Sequence, residues 1–288
     1  MEINDLDTYA ANTWCPGCGN FAILNAAKQA FSELVNEKKY ESEQFVTCTG
    51  IGCHGKIYDY LNLNGFYCLH GRAVPIASGI KLANPNLIPV SFVGDGDVYG
   101  EGISHLLFAA KRNSNITFLV HNNSTYALTT GQYSPTSPKG FKGKSTPKGS
   151  FEYPLNPIKL LLSSNASFVA RAFVGEVKHL KETIKEAINH RGFSIIDILQ
   201  PSITFNNTFK FYKEHIYKLF SEDYNTKSFE EAMKRVCEWN YTLDEKDKIA
   251  IGIFYKKERE IFEDGVREGK DLNKNIEDMK NFILEKHF

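Results

Sequence analysis

Neither sign of charge is in excess in this sequence, in which 34 Lys and Arg balance 34 Asp and Glu. Without a positive surplus there is no electrostatic footprint for nucleic acid or anionic lipid, and neither is expected as a partner. The lysine-rich stretch at 139–148 reads as a solvated loop. No apolar run is long enough to span a bilayer. The opening MEINDLDTYAANTW has no basic n-region and no apolar h-region, so a signal peptide is not expected and the protein is expected in the cytoplasm. No G-x-G-x-x-G follows the first predicted strand, which argues against a Rossmann-type nicotinamide protein. There is no second C-x-x-C to complete a zinc ribbon, and no strand precedes the first one, as a thioredoxin-type dithiol would require. No internal repeat is visible.

What is present points to one large α/β unit. The chain has 288 residues, 42% of them hydrophobic, enough for a sizeable core. Apolar spacing predicts a helix over 20–38 with Leu24, Ala27, Phe31 and Leu34 on one face. Strands are predicted at 45–49, 87–93, 116–120 and 193–199, with helices after Gly102 and over 176–191. Strands alternating with helices imply a parallel sheet flanked by helices. Residues 124–157 form a long Ser-, Thr-, Pro-, Gly- and Lys-rich loop, a length that marks function inside a compact domain. The expected division is an α/β domain over 1–204 and a helical C-terminal extension over 205–288 packed on it.

Two constellations carry chemistry. The first is Gly94-Asp95-Gly96-Asp97 followed by Asn122-Asn123, both at the carboxyl ends of predicted strands and one strand–helix–strand unit apart. Ligands of open α/β sheets bind at that edge. A carboxylate and an amide oxygen suit a hard cation such as Mg²⁺, which borrows further ligands from a phosphate, while glycines and a helix start let the backbone approach that phosphate. Taken singly, each motif also reads as an ordinary turn.

The second is Cys15-Pro16-Gly17-Cys18, with Cys53 in a later Gly-rich turn. By itself the C-x-x-C fits half a zinc site, a redox dithiol or two core cysteines. Three thiolates from two Gly-rich turns point to an iron–sulfur cluster. Cys48 and Cys68 read as small buried hydrophobes or as substitute ligands, and Cys237 as core.

Six segments, TWCPGCGN, GIGCHGK, LHGRAVPIASGIKLANP, GDGDVYGEG, NITFLVHNNSTYALTTGQYSPTSPKG and ILQPSITFNN, occur in an order that resembles β subunits of archaeal-type 2-oxoacid:ferredoxin oxidoreductases. The resemblance runs from about residue 10 to about residue 260. It implies a thiamine diphosphate-binding fold of the diphosphate type, with Mg²⁺ held by Asp95, Asn123 and the Thr125 carbonyl. Ile51, Gly52, Cys53, His54, His70, Gly71, Arg72, Ala73, Gly96, Asp97, Ala127 and Leu128 would line the cofactor. Lys56 would face the substrate carboxylate, with an exposed surface lysine as the alternative, and His70 would bond the diphosphate or else cap a turn.

The resemblance further implies a [4Fe–4S] cluster on Cys15, Cys18 and Cys53. The family's fourth cysteine is Ser202 here, a hard and weakly acidic replacement. Glycine is common in the family where Ala127 stands, and a small residue where His54 stands. The implied reaction is coenzyme A-dependent oxidative decarboxylation of a 2-oxoacid, with electrons passing to ferredoxin and the cofactor doing the carbanion chemistry. The glutamate that activates thiamine belongs to a pyrimidine-binding domain not seen here, so an α subunit is expected as partner. Two further readings stay open: a non-redox thiamine-dependent decarboxylase subunit, motivated by Ser202, and a regulatory β-like subunit.

Overall fold

The computed structural model describes residues 1–220, 223–267 and 281. Its centre is an eight-stranded sheet: β1 (Phe45–Thr49), β2 (Asn64–Tyr67), β3 (Ile88–Gly94), β4 (Thr117–Asn122), β5 (Phe168–Phe173), β6 (Ser194–Leu199), β7 (Ile216–Lys218) and β8 (Ile249–Lys256). The spatial order is β2-β1-β3-β4-β6-β5-β8-β7. The first six strands are mutually parallel, whereas β8 runs antiparallel to β5 and parallel to β7. β1, β4, β5 and β6 are buried along their whole length, and β3 from Pro89 onward, as expected of strands covered on both faces.

Helices make the covering layers. On one face α1 (Asn20–Asn36) and α5 (Val177–Asn189) bury Ile23, Phe31, Leu34, Leu180 and Ile184 against the sheet. On the other, α2 (Ala73–Ala83), α3 (Ile103–Arg112), α4 (Pro157–Ser163) and α7 (Phe229–Val236) bury Val74, Leu106, Leu161 and Val236. The apolar positions of the 20–38 pattern fall on the buried side of α1, which stops at Asn36; Lys38 then takes a left-handed backbone (φ 56°). α3 ends in the same way, at left-handed Asn113.

The C-terminal extension carries the expected helices α6 (Phe209–His215), α7 and α8 (Phe262–Arg267). It also carries two strands that the sequence reading does not contain. β8 is an integral strand of the main sheet, with Ile249, Ala250, Ile251 and Phe254 in the core. The aromatic and charged richness of the tail obscures the short β-branched run IAIGIF that makes this strand. Residues 268–280 and 282–288 of the extension lie outside the described residues.

This topology sets the functional edge. β1, β3, β4 and β6 are consecutive neighbours, and their carboxyl ends lead into GIGCH, DGDV, NST and QPS respectively. Segments far apart in sequence therefore emerge side by side. Between β1 and β3 the strand order reverses, with β2 lying to one side and β3 to the other, which is where ligands of open α/β sheets bind.

Candidate functional site

Asp95 begins a π-type turn over Gly96–Glu101 that leads into α3. Its carboxylate is buried and accepts the hydroxyls of Ser134 (2.5 Å) and Thr136 (2.9 Å) at Oδ2. Burial pushes the Asp95 carboxyl up to about 6, against the lowering effect of those two hydroxyls. Asn123 follows β4, and its Oδ1 accepts the Thr125 N–H at 3.1 Å. Ser124 between them has a left-handed backbone (φ 54°) that turns the chain back over the sheet edge. Asp95, Asn123 and Thr125 line one cavity of about 80 Å³.

Asp97, two residues on, ties the walls together. Its Oδ1 accepts the Gly71 N–H at 2.7 Å and the Ile51 N–H at 3.3 Å, and stands 3.1 Å from His70 Nδ1. Its Oδ2 stands 3.5 Å from His54 Nε2. One carboxylate thus fastens the turn after β1 and the turn before α2 to the turn after β3. Burial alone would raise the Asp97 carboxyl, but the two imidazoles and the Gly71 N–H outweigh it and hold the group well below the carboxylate range. The same carboxylate raises the half-exposed His70.

Glycines make this proximity possible. Gly71 sits at φ 68°, and a Cβ there would run into the backbone of Glu101 and Gly102. At Gly96 a Cβ would enter the ring of Tyr126, whose hydroxyl donates to the Gly96 carbonyl at 3.0 Å.

The residues present fit a charged, phosphate-bearing cofactor with a metal. His121 Nε2 is a buried atom of this cavity with no hydrogen bond among the described residues, while His54 Nε2, His70 Nδ1 and Asp97 Oδ2 have only the ion-pair contacts just described. Unmatched polar atoms of this kind are costly to keep unless a ligand satisfies them. The hard oxygen donors of Asp95, Asn123 and Thr125 suit Mg²⁺. No group of three or more His, Cys, Asp or Glu able to hold a metal ion occurs among the described residues. A Mg²⁺ ion that takes one carboxylate, one amide, one carbonyl and phosphate oxygens needs none.

A second cavity, of about 240 Å³, adjoins the first. Cys15, Cys18, Lys56 and Ser202 line it, while Cys53, Asn123, Ala127, Leu128 and Gln200 line both cavities. Trp14 brings the two cysteine segments together, since its Nε1 donates to the Cys53 carbonyl at 2.6 Å and its ring packs edge-on against Phe21 and Tyr60. Lys56 Nζ donates to Thr13 Oγ1 at 2.9 Å, reinforcing that clasp. Gln200 Nε2 donates to Cys18 Sγ at 3.5 Å. Burial raises the Cys18 and Cys53 thiols, each further raised by the neighbouring cysteine sulfurs. Cys15, Cys18 and Cys53 line one cavity without forming, among the described residues, a ready group of three ligands for a single metal ion; a cluster differs in that each sulfur binds a different iron.

The other expected residues fall as follows. Ile51, Gly52, His54, His70, Gly96, Asp97, Ala127 and Leu128 line the first cavity. Gly71, Arg72 and Ala73 do not: Arg72 reaches the carbonyls of Gly71 and Glu101, and Ala73 is buried at the start of α2. Cys48 and Cys68 are buried in the opposite core layer from Cys53 and Cys18 and line neither cavity, so neither substitutes for a fourth ligand. Cys237, expected in the core, is exposed at the end of α7, because the helix buries Ala232 and Val236 instead.

Several residues escaped the sequence reading. Ser134 and Thr136, which grip Asp95, lie in the 124–157 loop, which composition marks only as a whole. Asp197 lies beneath the site in a buried chain with Asn122 of the Asn122-Asn123 motif: Asp197 Oδ1 accepts Asn122 Nδ2 at 2.9 Å, and Asn122 Oδ1 lies 2.8 Å from Thr136 Oγ1, whose single proton it shares with Asp95 Oδ2. Nothing in the local pattern around Asp197 marks it.

The fold and this edge match known proteins. The family model described as the C-terminal TPP-binding domain of thiamine pyrophosphate enzymes covers residues 48–198, and that of the C-terminal part of pyruvate ferredoxin oxidoreductase β subunits covers 203–271. The chain is therefore a thiamine diphosphate-enzyme domain of the diphosphate-binding type. It is 44% identical to a 2-oxoacid:ferredoxin oxidoreductase β subunit from Sulfolobus sp over 86% of this chain and 82% of that one. It is 45% identical to the β subunit from Saccharolobus solfataricus over the same shares. Among solved structures it is similar to a 2-oxoglutarate:ferredoxin oxidoreductase from Magnetococcus marinus with 2-oxoglutarate, coenzyme A and succinyl-CoA bound. That match has a TM-score of 0.86 and 34% identity and covers 96% of this chain and 95% of that one. The chain belongs to the family of 2-oxoacid:ferredoxin oxidoreductase β subunits.

Proposed function

We propose that the chain is the thiamine diphosphate-binding subunit of an enzyme that converts a 2-oxoacid and coenzyme A to acyl-CoA and carbon dioxide. A proton is released, and two electrons pass singly to ferredoxin. The observation that carries this reading is the meeting of Asp95, Asn123 and Thr125 in one cavity whose walls Asp97 holds in place. A merely regulatory β-like subunit has no need of a buried, hydroxyl-gripped carboxylate at that edge.

The bound cofactors supply carbanion stabilisation and single-electron transfer. The chain's own residues bind and orient. Asp95, Asn123 and the Thr125 carbonyl would hold Mg²⁺, and through it the diphosphate, while Ser134 and Thr136 fix the carboxylate. Ile51, Gly52, Gly96 and Ala127 would shape the wall along the diphosphate and thiazolium, and His54 and His121 close its floor. His70, raised by Asp97, would present a proton toward the diphosphate. Lys56, clasped to Thr13 at the second cavity, would offer its charge to the substrate carboxylate. Cys15, Cys18 and Cys53 would hold the iron–sulfur cluster in the second cavity, Cys53 lining the first as well. The aminopyrimidine-activating carboxylate would come from an α subunit.

The test is calorimetry of Mg²⁺ and thiamine diphosphate on the complex of this chain with its α subunit, beside Asp95→Ala. The parent should bind both together and the variant should lose tight binding. Equal affinity in parent and variant overturns the assignment. The same complex, given pyruvate or 2-oxoglutarate with coenzyme A, should reduce a viologen dye. Decarboxylation without dye reduction would favour the non-redox alternative.

A further inference from the structure

The second cavity is asymmetric. Among its lining residues three carry thiols, Cys15, Cys18 and Cys53, and Ser202 carries a hydroxyl. Ser202 is buried and firmly placed. Its backbone pairs in both directions with Asn206, its Oγ accepts the Phe205 N–H at 3.3 Å, and Asn206 Nδ2 donates to the Asn123 carbonyl at 3.0 Å. The loop is thus tied to the turn after β4, and the hydroxyl does not swing away.

An alcohol must lose its proton to bind iron well, and it remains a hard donor at a site otherwise made of soft sulfur. No other thiol can take its place. Of the six cysteines, Cys48 and Cys68 lie in the opposite core layer and Cys237 is exposed on α7. Thr13, Lys56 and Thr204 add polar groups to the same cavity, which suits a water-derived or small anionic ligand.

We infer that this is a three-thiolate cluster site in which the iron at the Ser202 corner is held by no protein sulfur and exchanges with small external ligands. The inference rests on the cluster reading above and adds a property to it. The consequence is a reversible loss of one iron. Oxidation of [4Fe–4S]²⁺ by ferricyanide gives [3Fe–4S]⁺, one Fe²⁺ released to solution and one electron passed to the oxidant. Dithionite with added Fe²⁺ runs the change backward.

The experiment compares parent, Ser202→Ala and Ser202→Cys, each purified without oxygen as the complex with the α subunit. Iron and sulfide are counted, and low-temperature electron paramagnetic resonance is recorded before and after stoichiometric ferricyanide. The parent and Ser202→Ala should each lose one iron of four, develop the three-iron signal, and recover on reduction with Fe²⁺. Ser202→Cys should keep four irons and show no such signal. A parent that keeps all four irons as Ser202→Cys does overturns the inference and leaves the cluster reading standing. A parent that keeps them where Ser202→Ala loses one also overturns it, by showing that the serine oxygen is a ligand. Parent and Ser202→Cys both free of iron and sulfide would overturn inference and cluster reading together.

Discussion

Single side chains do unequal work at this site. Thr136 touches no cofactor, yet its hydroxyl reaches Asp95 Oδ2 and Asn122 Oδ1 at once. Thr136→Val keeps the shape and removes the hydroxyl. Groups that orient a metal ligand are worth roughly 10–100-fold in metal affinity. The variant should weaken Mg²⁺ binding within that range and lose about 1–3 kcal/mol of stability, because two buried oxygens lose a donor; calorimetry with unaltered Mg²⁺ affinity would refute the role. Deeper down, Asp197 accepts from Tyr99 (3.1 Å), Asn122 (2.9 Å) and Tyr241 (2.6 Å) and faces the fully buried Arg171, which stacks on Trp239. Asp197→Ala leaves a buried guanidinium uncompensated, which costs about 3–5 kcal/mol. Urea unfolding of the variant should show a loss of that size, and a loss under 1 kcal/mol would mean that water or relaxation replaces the carboxylate. The motifs that carry Asp95, Asn123 and the three cysteines were legible because they are local and because chemistry restricts which residues could serve there. Asp197 and Thr136 were not, because their importance arises only where distant strands and a long loop meet.

The helices and strands show where local pattern suffices. β1, β3, β4 and β6 and helices α1, α3 and α5 follow from apolar spacing and glycine-rich ends. β2, β5 and β8 do not. β2 is an exposed edge strand of four residues with little apolar signal, and β8 hides in a tail whose composition resembles a surface helix. Its antiparallel pairing with β5 cannot be read from a strand–helix alternation. At the end of α5, His190 is buried against Phe168, with Nε2 2.9 Å from Ser167 Oγ. Burial, with the charges of Lys256 and Arg259, depresses its imidazole from 6.5 to about 4. The folded chain therefore takes up this proton less readily than the unfolded one. Stability from this group is intact above 6.5 and is lost as the pH falls toward about 4. His190→Gln lacks that titration, so the gap in urea midpoint between parent and variant should narrow over that window. Parallel pH profiles would show that His190 is not the group responsible.

At the scale of the whole molecule, the cofactor edge sits at the middle of the sheet, while the extension closes the far side through β8 and β7. On the function proposed above, the chain would supply ligands for the diphosphate end of thiamine, and the activating carboxylate for the other end would come from an α subunit. The isolated chain should therefore neither reduce viologen nor release carbon dioxide from a 2-oxoacid, and activity should appear on titration with the α subunit. Turnover by the pure single chain would mean that the activating group lies within it.

The wall between the two cavities also bears on how this protein can change over generations. Cys53, Asn123, Ala127, Leu128 and Gln200 face both chambers. A substitution there that adapts one chamber reshapes the other, so its benefit depends on what else has already changed. New substrate preferences are then expected to arise first at residues that face the second chamber alone, such as Lys56, Ile203 and Phe205. The shared wall would be the slowest part of the site to drift, held still by two unrelated demands on the same five side chains.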